Sequence, residues 1–502
     1  MKNKILYLIM IIGVIQLNTS CKKSFLEVSP KGIQLESNYY QSADQAYAGL
    51  VATYNPLAWE AGGGDNTYIS DLGALNSASD ECYAGGGGPT DMSTWQAVSN
   101  YSLLDATTGP QGGFWSKYYT IIYRSNLLLQ KINTGIPGLT DANKARYIAE
   151  CKFLRGYSYF GLVRLFKNVP LFTTPVASGD FYNVVQAKPE DVYAQVEKDL
   201  KDAAAGLPSV VPSSENGRVT KGAAQALLGK AILYQNGTPA RMKEAADLLE
   251  LVNTSPNYGL LTDFAAIFSP DNKFNKESIF EIYHTGTQNA GWGTWPNFQA
   301  NIYTQMIGPR SYTGPTYWSG GWSFNPMIAA FAATMKTDPR YKYTVANIDS
   351  ITKATGKAYV LGYQNTGFFI NKFAPLAKYV STTGQAELNF PNDYIEIRLA
   401  DTYLLEAEAL VRSGTTGKAQ FYLDAVRARV GLPSIPATLD NIYNERKFEL
   451  ATEGHRWYDL VRTGKAATVL AFKNFTAGKN ELLPIPIKEL YNTKLVQNPN
   501  YH

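Results

Sequence analysis

Apolar side chains recur at helical spacing over long stretches of this chain. In FWSKYYTIIYRSNLLLQK (114–131), Tyr118, Ile121, Ile122, Leu128 and Leu129 follow that period, which predicts a helix. DANKARYIAECKFLRGYSYFGLVRLF (141–166) carries two stripes. Phe153, Tyr157, Phe160 and Val163 form one, and Cys151, Leu154, Leu162 and Leu165 form the other. A helix apolar on two faces packs against neighbours on more than one side. Asp141 is its expected cap, and Pro170 follows its end. KGAAQALLGKAILYQ (221–235) places Gly222, Ala226 and Gly229 where a second helix, RMKEAADLLELV (241–252), can approach closely. NDYIEIRLADTYLLEAEALVRSG (392–414) and KAQFYLDAVRARVGLP (418–433) read as a further pair, ended by Gly414 and by Gly431 before Pro433. Another helical unit spans 439–453.

Pairs of amphipathic helices joined by short turns, with Ala or Gly at the contacts, resemble tetratricopeptide packing. The period is too irregular for a true repeat array. The expected fold is therefore mainly α: helix pairs form a scaffold with long irregular loops and a few short strands. SIFEIYH (278–284) is one alternating, strand-like run, and His284 at its end reads as structural. Two regions break the helical pattern. Residues 55–113 are rich in glycine (AGGGDN, AGGGGPTD, TGPQGG), and 285–326 show no period. Loops of this length are functional or disordered, and their aromatic load argues against disorder.

The N-terminus reads as a targeting segment. Lys2 and Lys4 precede an apolar run of 13 residues at 5–17. A membrane span needs roughly 20 residues, so the run fits a signal peptide. Thr19, Ser20 and Cys21 follow, which resembles a bacterial lipobox, although Asn18 stands where Leu is usual and Leu17 lies one position early. The expected organisation is a lipoprotein signal peptide at 1–20, a lipidated Cys21 with a tether to residue 40, and a single domain over 41–502. That domain has an N-terminal part at 41–270 and a C-terminal part at 271–502. A secreted protein with an incidental Cys21 is the alternative. Acyl chains on Cys21 would hold the protein on a bilayer, since each buried CH₂ contributes about 0.8 kcal/mol.

The net charge of the 502 residues is only +4, and two of the lysines fall in the signal segment. Charge therefore argues against a nucleic-acid partner. After Cys21 only Cys82 and Cys151 remain. Two cysteines make neither a disulfide scaffold nor a four-ligand zinc site. Cys151, in an apolar helix, reads as a buried thiol, with pairing to Cys82 left open. No acidic loop of the right spacing compels a calcium site, which is left open, and no cofactor or other metal is expected.

NERKFELATEGHRWYDLVRTG (444–464) gathers acids and bases around His455. As a helix it puts Glu445, Glu449 and Glu453 on one face, with Ile442, Phe448 and Leu450 apolar. Gly454 ends that helix, and a second one begins at His455, carries Trp457, Leu460 and Val461, and closes at Gly464. Glu453 or Asp459 with His455 could form an acid–base pair, but such a pair works in a cleft, and neither a nucleophile nor a glycine-rich substrate loop adjoins it. The segment reads instead as a structural corner of carboxylates facing arginines.

This segment resembles the C-terminal signature of the SusD/RagB family of outer-membrane nutrient-binding lipoproteins. AECKFLRGYSYFGLVRLFKNVP (149–170), VTKGAAQALLGKAILY (219–234), IRLADTYLLEAEAL (397–410), LDAVRARVGLP (423–433) and LLPIPIKELYNTKLVQNPNYH (482–502) match the family in order. The resemblance implies four tetratricopeptide-like helix pairs supporting a loop-rich face. It implies a protein that binds oligosaccharides at the outer membrane, faces the cell exterior, cleaves nothing, and serves as the lid of a SusC-like TonB-dependent barrel. A surface-anchored glycoside hydrolase, or a peptide-binding or structural lid, are the competing readings. The hydrolase needs two carboxylates flanking one sugar, yet 285–326 contains no Asp or Glu.

A pyranose offers a C–H face to an aromatic ring and hydroxyls to polar groups. Four of the eight tryptophans, Trp292, Trp295, Trp318 and Trp322, lie within 31 residues, with Tyr303, Tyr312 and Tyr317 among them. The candidate carbohydrate-binding residues are Trp292, Trp295, Tyr317, Trp318 and Trp322, joined from the N-terminal loops by Asp80, Glu81, Tyr83 and Trp95. The competing expectation is that these aromatics fold inward as a small satellite core.

Overall fold

The computed structural model describes residues 39–62, 67, 68, 70–177, 179–287, 291, 292, 300–315 and 317–501. The expected signal segment and Cys21 lie outside them. No helix among the described residues is long and apolar enough to cross a membrane.

The chain enters through α1 (Ala43–Tyr54), α2 (Asp71–Ala78) and α3 (Ser93–Ser99). The glycine-rich region therefore contains two helices that its sequence hides. Every α2 residue from Leu72 to Ala78 is buried, and a helix buried all round has no polar face to give a period. Next come α4 (Gln111–Thr134), α5 (Asp141–Phe166), α6 (Pro189–Gly206), α7 (Lys221–Tyr234) and α8 (Pro239–Asn253). Thr140, rather than Asp141, caps α5 by accepting from the Asn143 N–H, and Asp141 occupies the first turn. Thr220 and Thr238 cap α7 and α8 in the same way, and Pro239 opens α8.

Residues 254–398 then leave the helical ladder, keeping only short helices such as Ala329–Met335 and Ile348–Thr355. They form β1 (Ser278–Ile282), antiparallel to β2 (Tyr394–Arg398), and a small hairpin of Val345–Asn347 with Phe368–Ile370. The chain returns to the helices as α9 (Leu399–Ser413), α10 (Ala419–Arg429), α11 (Leu439–Glu449) and α12 (Arg456–Arg462). The segment before α9, expected to be helical, is β2. Ile395 and Ile397 alternate inward there against β1, where β-branched side chains pack well. The α11 helix stops at Glu449 because the chain turns through Thr452 and Gly454, at φ +67° and +77°.

Each helix from α4 to α10 packs on the next, and α9 also meets α11. The ladder runs through the 254–398 excursion, because α8 packs directly on α9. Close approach requires the small residues. A Cβ on Gly229 would lie 2.8 Å from Leu249 Cγ across the α7–α8 contact. The result is a stiff helical body with the irregular excursion carried on it.

Cys82 and Cys151 are both free and fully buried, so they do not pair. Burial pushes both thiols up, with Glu81 adding to the effect at Cys82 and Glu150 at Cys151. Since the thiolate is the reactive form, iodoacetamide should label neither cysteine in the native protein lacking residues 1–21, and both in denaturant. Rapid native labelling of either thiol, read by mass spectrometry, would contradict this packing.

Candidate functional site

The acid-rich 444–464 segment is a scaffold element. Arg398, fully buried, donates from Nε to Glu453 Oε2 (2.7 Å), and from Nη1 to Glu277 Oε1 (2.8 Å) and Glu449 Oε1 (2.5 Å). Arg340 Nη1 donates to Glu445 (2.6 Å) and Glu449 (2.9 Å), and Lys372 Nζ to Glu453 (2.6 Å). Arg446 joins Asp401 (2.7 Å) to Asp459 (2.8 Å). Burial alone would raise Glu449, but Arg429, Arg398 and Arg340 hold its carboxyl well below the usual range. Burial, with Lys230 alongside, pushes the His455 pKa down to about 3. The imidazole is therefore neutral at pH 7, and its Nδ1 lies 3.4 Å from Lys230 Nζ. Carboxylates fixed by arginines and a neutral buried histidine cannot exchange protons with a surface ligand.

Several residues expected to meet ligand are instead core. Trp95 is 1% exposed. Its ring lies where a Cβ on Gly73 would come within 2.1 Å, and it packs edge-on to Tyr303 and Phe324. Trp318 is 5% exposed and packs with Ala346, Ile348 and Phe369 under the small hairpin. Here the satellite core is real. Glu81 is buried, and burial, with the Asp80 charge beside it, pushes its carboxyl up to about 8. Asp80 is held by both Arg456 nitrogens, Nε at 2.7 Å and Nη2 at 3.0 Å. Tyr83 is half-buried against the main core, with Lys473 Nζ 5.7 Å from its ring centre. Trp95, Trp318 and Glu81 are thus spent on packing, because a loop crossing a scaffold needs anchors of its own, whereas Asp80 is paired with Arg456 and Tyr83 stays half-buried. Trp295 lies outside the described residues.

Two of the tryptophans do form a surface. Trp292, 41% exposed, stacks on the half-buried Trp322 with ring centres 6.2 Å apart and planes 21° from parallel. Full face-to-face contact would bring carbon atoms to about 3.5–4.0 Å, so the rings are offset and pave a longer strip than one indole. Trp292 Nε1 donates to Glu387 Oε1 at 3.0 Å, which fixes the outer ring. Trp322 is fixed from below, by packing on the core and by its N–H to Gln305 O (3.2 Å). The loop beneath it is pinned by backbone contact: a Cβ on Gly321 would lie 2.3 Å from Gly308 Cα.

Polar groups border this strip. Arg310 Nη2 donates to Trp322 O (2.9 Å) and lies 3.9 Å from Asp91 Oδ2. The same Asp91 oxygen accepts from the Gly87 N–H at 2.7 Å. Gly86 N–H donates to Ser323 O, and Tyr363 N–H donates to Gly86 O, both at 2.8 Å. The two predicted loop regions therefore meet, and a third segment at 360–364 joins them. That segment, like Arg310, Asp91 and Glu387, is not among the residues expected from the sequence. Gly362, whose Cβ would lie 2.5 Å from Ser323 Cβ, is the signal that the third segment left. Tyr317, 62% exposed, opens onto a different cleft.

A helical ladder presenting an indole strip bordered by Arg310 and Asp91 defines a class: a scaffolded surface-binding protein. The chain belongs to the SusD family. Residues 276–501 match the family model described as SusD family, and residues 25–233 match one described as starch-binding associating with outer membrane. A solved laminarin binding SusD-like protein is 44% identical, covers 92% of this chain and 100% of its own, and superposes with a TM-score of 0.86. Surface glycan-binding protein A from Bacteroides thetaiotaomicron, solved in complex with laminarihexaose, is 29% identical over 91% of this chain and 99% of its own, at a TM-score of 0.83. A SusD-like protein from Bacteroides ovatus is 27% identical over 484 residues, 92% of this chain and 82% of that one. The family and the mainly helical fold expected from the motifs are as read from the sequence.

Proposed function

We propose that this protein binds a laminarin-type glucan at the cell surface and passes it, uncleaved, to a SusC-like TonB-dependent barrel. The observation that carries the ligand reading is the Trp292–Trp322 strip, held by Glu387 and bordered by the Arg310–Asp91 pair. Its rings suit the C–H face of a pyranose, and its edge suits hydroxyls. The ligands of two similar proteins, laminarin and laminarihexaose, support the choice of glucan. Asp91 and Glu387, the carboxylates at this face, are already engaged by a backbone N–H and an indole N–H. That arrangement suits holding a ligand rather than moving protons. In this reading residues 1–20 are a cleaved signal, Cys21 carries the lipid, and the family likeness supports the barrel partner.

Calorimetry with laminarihexaose should show binding to the wild type. Arg310→Ala should weaken it about 10- to 100-fold, the effect of losing a charged hydrogen bond of about 1.5–3 kcal/mol. Incubation with laminarin should release no reducing ends, and the protein extracted from membranes should co-purify with a large barrel. Steady release of reducing sugar, or full affinity in Arg310→Ala, would overturn the corresponding part.

A further inference from the structure

We infer that the chain carries a second saccharide-binding cleft, distinct from the indole strip and built around Tyr317. The cleft has a volume of about 600 Å³, within the range of small-ligand sites. It shares none of the strip's residues: Trp292, Trp322, Arg310, Asp91 and Glu387 are all absent from its lining. Three tyrosines border it. Tyr317 stands 62% exposed, and Tyr343 and Tyr379 are half-buried. Tyr379 is oriented by its hydroxyl, which donates to Asp271 Oδ2 at 2.7 Å.

A second observation points to a ligand. Asn392 lines this cleft, is 3% exposed, and its Oδ1 finds no hydrogen-bond partner among the described residues. Leaving a buried acceptor unsatisfied is costly, and a ligand hydroxyl that reached this oxygen from the cleft would recover that cost. Charge then selects among hydroxyl-bearing ligands. Lys372 is turned inward to Glu453, and Lys378 is paired with Asp271 at 2.8 Å. Lys342 and Asp263 remain, of opposite sign, so the lining favours neither a cation nor an anion. Aromatic rings, an orphan acceptor and balanced charge together fit a neutral oligosaccharide. The choice of laminarin-type glucan as probe rests on the functional reading above, while the cleft stands on its own residues.

Two sites on one rigid body would engage one long polysaccharide at once. Binding the second segment is then intramolecular and can add a factor of 10² or more to affinity without a new contact. The test is calorimetry on the wild type, Trp292→Ala and Tyr317→Ala, each titrated with laminarihexaose and with laminarin polymer. Tyr317 is exposed, so its truncation leaves the fold intact. The wild type should bind two hexaoses per chain and each variant one. Laminarin polymer should bind the wild type at least tenfold tighter than hexaose, and either variant should lose that advantage. The cleft is overturned if Trp292→Ala abolishes all hexaose binding, or if Tyr317→Ala leaves stoichiometry and polymer affinity unchanged. If Trp292→Ala has no effect while Tyr317→Ala removes a site, the cleft stands and the strip fails. A wild type that binds neither glucan overturns both.

Discussion

Arg398→Ala is expected to destabilise the protein by about 3–5 kcal/mol, the cost of breaking a buried ion pair and leaving its partner charge unmatched. Arg398 joins β2 to three carboxylates from two separate elements: Glu277 beside β1, and Glu449 and Glu453 around the end of α11. Its removal leaves Glu449 to Arg340 and Arg429, and Glu453 to Lys372 alone. The exposed pair Lys465–Asp440 provides the contrast. Lys465→Ala should leave stability nearly unchanged, since solvent screens the pair. Denaturant unfolding of the two variants checks both statements. An Arg398→Ala midpoint equal to that of the wild type would show that the network is not holding the excursion to the ladder. The same network sets an acid limit. Glu449 and Glu453 have folded pKa values held below the ordinary carboxylate range, although burial opposes this. Their stabilisation is therefore present above the unfolded value of about 4.3 and is lost as pH falls through the folded values.

Trp292→Ala is the second large effect. Binding at the indole strip should weaken by about 2 kcal/mol or more, roughly 30-fold in Kd, as for an aromatic anchor at the centre of an interface. Stability should hardly move, because Trp292 is 41% exposed. Trp318→Ala should behave in the opposite way. It empties a buried site and should cost about 3–5 kcal/mol of stability, while the folded protein retains its affinity at the strip. Paired calorimetry and unfolding on these two variants separate ligand platform from core. Equal loss of stability in both would mean that Trp292 is a packing residue as well.

The difference between Trp292 and Trp318 shows where sequence reading stopped. Both sit in the same glycine-bordered, aperiodic loop, and local composition treats them alike. What separates them is the hairpin of Val345–Asn347 with Phe368–Ile370, more than twenty residues away in sequence, which closes over Trp318. Asp80 and Arg456 pair across 376 residues, and Trp95 meets Phe324 across 229. No periodicity records partners so distant. Arg310, Asp91 and Glu387 went unnoticed for the same reason, since each gains meaning only from a neighbour on another loop.

The helical ladder, its glycine stops at Gly414 and Gly431, the burial of Cys151 and the structural character of 444–464 were determined by the sequence alone. They depend on contacts three or four residues apart, on small residues at helix crossings, and on charges repeating along one face, all of which the linear order preserves. Tertiary structure alone decided which rings face water, that 394–398 is a strand, and that loops from four parts of the chain converge on one strip. Those outcomes turn on which distant segment arrives to cover or pair a given residue, and that is a property of the assembled ladder rather than of any stretch within it.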